Sequence, residues 1–125
     1  IIYRSLWERK FMNYCDLNEN ILEWASEEFW IPYLDPTTNR VRRYFPDFFI
    51  KYKDKDSNIR RSVIEVKPMR ETLQPKATKG KSRKTMINES MTYVKNQAKW
   101  KAAREFCADR KLEFKIMTEK ELGIR

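Results

Sequence analysis

Between a strand-like run at Arg60 to Val66 and an alternating stretch at Leu112 to Met117 lies one long amphipathic segment, about Asn88 to Arg110. This strand-helix-strand succession limits the folds open to the chain. Met91, Val94, Ala98 and Ala102 trace one stripe of the segment, and Tyr93, Trp100 and Cys107 extend it, as a packed helix requires. Leu112, Phe114 and Ile116 alternate with charged residues, the period of a strand. Upstream, residues 28 to 33 and 42 to 53 are strand-like and flank the turn residues Asp35-Pro36-Thr37-Thr38-Asn39, so an antiparallel hairpin is expected. A second turn at Asp54 to Asn58 leads into Arg60 to Val66, completing a three-stranded meander, with Ile21, Leu22 and Trp24 left as a short apolar piece before it.

Trp7, Phe11 and Tyr14 recur at helical spacing behind Ser5-Leu6-Trp7-Glu8, which has the form of a capping box. Thr118-Glu119-Lys120-Glu121 has the same form and opens a final helical turn. The expected architecture is α/β: an α-β-β-β-α-β core with a mixed four-stranded sheet flanked by helices. A length of 125 residues suits one domain, 1–125. Residues from about 69 to 87 turn to Lys, Arg, Thr, Ser, Pro and Gly and read as a basic mobile loop.

The chain has no histidine, which removes Ser-His and Cys-His nucleophile pairs, imidazole acid-base catalysis and the commonest zinc ligand together. Two cysteines far apart, Cys15 and Cys107, support neither a zinc site nor a disulfide framework and read as core residues. Chemistry is left to carboxylates, lysine and a metal. A net charge of +9 favours a polyanionic partner. No apolar run approaches the roughly 18 to 20 residues that span a bilayer, and Ile1-Ile2-Tyr3-Arg4 lacks a signal-peptide layout. A cytoplasmic protein without membrane or small-molecule cofactor is expected, and its start at Ile1 suggests further sequence upstream.

Two short strings carry the chemistry. Asp47 follows Pro46 inside the run Tyr44-Phe45-Pro46-Asp47-Phe48-Phe49-Ile50, where the proline marks a strand entry or bulge. In Ile64-Glu65-Val66-Lys67 the two-residue period puts Glu65 and Lys67 on one face. If the two strands are neighbours, Asp47 and Glu65 converge on one cation, the Val66 carbonyl offers another oxygen, and Lys67 sits beside the reacting water. Phosphodiester hydrolysis asks for these parts: oxygen ligands for one or two Mg²⁺, with Mn²⁺ as a substitute, and a cation at the scissile phosphate. The same Glu and Lys also suit a solvated strand face or a weak ion pair.

The segment order, with Pro46-Asp47 and Glu65-Val66-Lys67, resembles the PD-(D/E)xK nuclease superfamily, whose fold is restriction-endonuclease-like. Tyr3-Arg4-Ser5-x-Trp7-Glu8, Trp24-Ala25-Ser26-Glu27, Ile31-Pro32-Tyr33-x-Asp35-Pro36-Thr37-Thr38, Tyr44-x-Pro46-Asp47-Phe48 and Ile64-Glu65-Val66-Lys67-Pro68 resemble the head completion nucleases of tailed bacteriophages. Transposon-end endonucleases and MutH-like enzymes share the superfamily motif but are not expected to share these flanking words. The resemblance implies a Mg²⁺-dependent deoxyribonuclease acting late in phage assembly, processing packaged double-stranded DNA so that a filled head joins a tail. Phage connector or neck proteins are the implied partners, in the bacterial host cytoplasm or on the virion.

The resemblance also implies catalytic and metal-binding work for Glu8, which its capping box explains equally well. Glu27, or its neighbour Glu28, and Gln97 on the long helix are further candidates. Lys76, Lys79, Lys81, Arg83 and Lys84 are unrelieved by nearby acids and either meet DNA phosphates or form a solvated linker. Arg40, Arg42, Arg43, Arg60 and Arg61 are further charges for a DNA groove, whereas the tryptophans and Met91 read as core. Two other functions stay open: a non-catalytic DNA-binding neck or assembly protein with a vestigial nuclease site, and a basic structural protein.

Overall fold

A computed structural model describes residues 2–26 and 29–123, residues 2–5 through their backbone alone. Helix α1 (Ile2–Leu17) leads into strand β1 (Ile21–Ser26), followed by β2 (Ile31–Asp35), β3 (Arg40–Tyr44), β4 (Phe48–Lys53) and β5 (Ile59–Val66). Then come the short helix α2 (Met69–Thr72), the long helix α3 (Arg83–Asp109), β6 (Glu113–Met117) and α4 (Glu119–Leu122). The main sheet has the order β1-β4-β5-β6. β4 is antiparallel to β1 and β5, and β5 is parallel to β6 across the α3 crossover, so the sheet is mixed. The α-β-β-β-α-β core is therefore α1, β1, β4, β5, α3 and β6, with the hairpin β2–β3 inserted as a second sheet.

That insertion departs from the expected meander. The run 42–53 is two strands broken at Phe45-Pro46-Asp47, and residues 31–35 pair with 40–44 rather than with the main sheet. The first strand of the meander is Ile21–Ser26, the piece that had been set aside. Proline has no N–H for a ladder, so a break at the buried Pro46 is physically natural. Asp35 closes the hairpin: its buried carboxylate accepts from Thr37 N–H and Oγ1 at 2.9 and 2.7 Å and from Arg42 Nε at 3.0 Å. The Thr37 hydrogen bonds first of all hold its pKa below the usual carboxylate range, against the pull of burial.

The core has two layers. On one face of the sheet Trp7, Phe11 and Cys15 of α1 meet Phe48, Ile50, Ile64 and Val66, with the Phe11 and Phe48 rings 4.5 Å apart. On the other, Trp100 and Ala103 of α3 pack with Ile31, Tyr33 and Tyr44 of the hairpin and with Phe114 and Ile116. The buried stripe of α3 is Asn96, Trp100, Ala103 and Cys107: Trp100 and Cys107 are as expected, whereas Met91 and Val94 are exposed. Trp30 is also exposed, under the Arg43 guanidinium at 4.7 Å. Burial pushes the Cys15 and Cys107 thiols up to about 12 and about 11, which makes them inert core residues.

Helix ends show which caps operate. α1 starts at Ile2, ahead of Ser5, so Ser5 and Glu8 lie inside the helix and the expected capping box is not its start. Thr118 and Glu121 do form a full capping box on α4. α3 begins at Arg83 behind Ser82, whose hydroxyl accepts from Thr85 N–H. Part of the expected basic loop is thus helical, in α2 and the first turns of α3.

Glu113 ties β4, β5 and β6 together, accepting from Tyr52 Oη and Ser62 Oγ at 2.7 Å each and from Arg60 Nη1 at 3.0 Å. Burial alone would raise its pKa, but these hydrogen bonds and the Lys115 charge outweigh burial and hold it at about 2. A carboxyl depressed in the folded state stabilises the fold above its unfolded pKa, and that stability is lost as pH falls through the folded value. Glu113→Gln is expected to cost roughly 1 to 3 kcal/mol at pH 7. In urea titrations the gap to wild type should close as pH falls from about 4.5 towards about 2.

Candidate active site

β4 and β5 build the site. Their register pairs Phe48 with Ile64, so continuing it by one residue sets Asp47 opposite Glu65. Opposed positions of an antiparallel pair have Cβ atoms about 4.5 to 5.5 Å apart and share a face. Phe48, Ile64 and Val66 point into the α1 layer, so Asp47 and Glu65 face the α3 and hairpin side. Both carboxylates are buried.

Each is aimed by a specific donor. Asp47 Oδ2 accepts the Val66 N–H at 2.8 Å, which pins it to the end of β5. Glu65 Oε1 accepts the Tyr44 hydroxyl at 2.6 Å, and Lys67 Nζ lies 3.8 Å from Glu65 Oε2. Tyr44 is held far above the usual phenol range, by burial first and then by the charges of Glu65 and Asp47, so it stays a donor. The backbone of Lys67 is held from β6 and α4: its N–H donates to Met117 O at 3.0 Å, and Met69 N–H donates to Glu119 Oε1 at 2.7 Å.

The structure thus brings Asp47, Glu65, Val66 and Lys67 together. Val66 contributes its N–H to Asp47, which leaves its carbonyl's expected part as an ion ligand unaffected. Glu8 is half-buried on α1 beside the core residue Trp7. Among the described residues no group of three or more Cys, Asp or Glu side chains is placed to hold a metal ion. Glu27 and Glu28 lie outside the described residues. Gln97 is half-buried on α3 beside Asn96, which is 5% exposed. Two buried carboxylates offering hard oxygens, with an ammonium alongside, suit a small divalent cation that keeps most of its waters.

The part of Tyr44 was missed by sequence reasoning. Tyr44 ends a strand that reads Arg40-Val41-Arg42-Arg43-Tyr44, exposed until its last residue, so no apolar alternation marks it.

The basic residues divide. Lys76, Lys79, Arg83 and Lys84 are exposed, whereas Lys81 Nζ bridges Lys76 O and Glu89 Oε1 at 2.8 Å each, so an acid eight residues away relieves it. Arg42 and Arg60 are committed to Asp35 and to Asp54 with Glu113. No described helix is long and apolar enough to cross a membrane.

The family model of the TnsA-like endonuclease N-terminal domain matches residues 18–119. The chain is 38% identical over 122 residues to the head completion nuclease of Enterobacteria phage T4, covering 95% of this chain and 79% of that protein. No solved structure matches it. The family match takes in the stretches around Ile31, Pro46 and Glu65. Sequence matches and fold agree, and the chain belongs to the PD-(D/E)xK nuclease superfamily, in the family of TnsA-like endonuclease N-terminal domains.

Proposed function

We propose that the protein is a divalent-metal-dependent DNA endonuclease, with Mg²⁺ as its ion and Mn²⁺ as a substitute, that processes packaged double-stranded DNA in phage head completion and head-tail joining. The observation that carries this reading is the opposition of buried Asp47 and Glu65 across β4 and β5, with Lys67 Nζ 3.8 Å from Glu65. Buried like charges at one spot disfavour folding and are held where they serve chemistry. The relative named a head completion nuclease supports the biological setting. Connector or neck proteins as partners and a place in the host cytoplasm or on the virion follow from that setting.

Asp47 and Glu65 would hold the ion, which supplies Lewis acidity towards a phosphate oxygen and towards water. The Val66 N–H and Tyr44 hydroxyl keep one oxygen of each carboxylate engaged, which orients the others. Lys67 places its ammonium where it steadies negative charge that develops on the phosphate as water adds and the P–O bond breaks. Exposed Lys76, Lys79, Arg83 and Lys84 supply salt-dependent attraction for the duplex.

Plasmid DNA with Mg²⁺ should be cleaved by the wild type and protected by excess EDTA. Asp47→Ala, Glu65→Ala and Lys67→Ala should each lose about a hundredfold or more in rate while remaining folded by circular dichroism. Equal cleavage by all four proteins would defeat the site, and wild-type binding without cleavage in either ion would favour the DNA-binding assembly role. Tyr44→Phe removes a hydrogen bond to a carboxylate and is expected to cost roughly 1.5 to 3 kcal/mol of stability in urea titrations.

A further inference from the structure

A groove of about 780 Å³ runs between residues 70–81 and the first half of α3. Its size lies within the roughly 300 to 1,000 Å³ typical of small-ligand sites, far too small for a stretch of duplex. Lys81, in its lining, joins the Lys76 carbonyl to Glu89 of α3. Asn96 lines the groove and is 5% exposed, yet its carboxamide makes no hydrogen bond among the described residues. Its polar atoms reach the solvent of the groove, Trp100 Nε1 being the buried side-chain atom without a partner among the described residues, so its donor and its acceptor are both open to a ligand there.

The position of the groove ties it to the chemistry. Arg70 follows Lys67 by three residues. Asn96 lies one helical turn before Trp100, which packs in the same cluster as Tyr44, the donor to Glu65. The lining also tells which ligand fits. A phosphate wants donors only, whereas a carboxamide offers one donor group and one acceptor, the pairing a base edge presents. Leu73, Pro75 and half-buried Tyr93 give apolar walls for a base face, and Arg70 and Lys76 supply charge for its phosphates.

Building on the nuclease reading above, we propose that this groove receives one unpaired nucleotide of the DNA, with Asn96 on its base edge and Tyr93 against its face. The preferred substrate class is then DNA carrying an unpaired nucleotide, such as a flap, gap or single-stranded end, rather than continuous duplex.

The test is fluorescence anisotropy with the full chain in EDTA, comparing a labelled blunt duplex with a flapped duplex of the same length. The wild type should bind the flapped DNA about tenfold more tightly. Asn96→Ala and Tyr93→Ala should each lower that preference roughly five- to tenfold, while Tyr93→Phe retains it. Asn96→Asp, which keeps the shape but lacks the amide donor, should also lose it, covering a folding defect in Asn96→Ala. Equal wild-type affinity for the two DNAs, or a preference that survives both Asn96 substitutions, overturns the proposal. Because no cleavage is read, a preference seen in a protein that cuts no DNA would sink the nuclease reading alone. Cleavage of flapped and blunt DNA with equal affinity would sink the groove alone.

Discussion

The hydrogen bond from the Val66 N–H to Asp47 Oδ2 joins the entry of one central strand to the exit of the next, and the site is organised around it. A buried carboxylate is tolerated only when its oxygens find donors, so Asp47 selects the register that presents one. In that register Phe48 faces Ile64 and both enter the α1 layer. A slip of one residue would turn every side chain of β5 over, sending Glu65 into the aromatic core and Val66 into the site. The polar contact and the apolar layer therefore specify the same pairing from opposite faces.

Much of this was legible in the sequence because strand period is a local property. Ile64-Glu65-Val66-Lys67 announces its two faces without reference to anything else, and the Thr118-Glu121 cap operates as written. The antiparallel hairpin across Asp35 to Asn39 was legible too, but its separation from the main sheet was not. Residues 42–53 are continuous in β propensity, and only the buried Pro46, which cannot join a ladder, shows that two sheets share the run. Tyr44 was hidden for a related reason: its hydroxyl matters only because the inserted hairpin folds over the main sheet and reaches Glu65. The Ser5-to-Glu8 capping box was misread as the helix start because a capping box is a local word that a helix already begun at Ile2 overrides.

Charge in this protein is unevenly committed. Arg42, Arg60 and Lys81 serve the fold, closing the β2–β3 turn, bracing the Glu113 cluster and strapping residues 76–81 to α3. Lys76, Lys79, Arg83 and Lys84 remain at the surface beside the groove. The count of 27 basic residues therefore overstates what is available to a polyanion, since some are paired with acids that the net charge of +9 already subtracts.

The anchoring of the Lys67 segment has a consequence in time. Its backbone is held by Met117, and the next turn by Glu119, so the ammonium is set in place by residues some fifty positions further along the chain. During synthesis β4 and β5 can pair long before Met117 and Glu119 emerge. Until they do, the carboxylates have their partners but the lysine segment lacks its moorings. Assembly of the site is thereby delayed until nearly all of the described domain has left the ribosome.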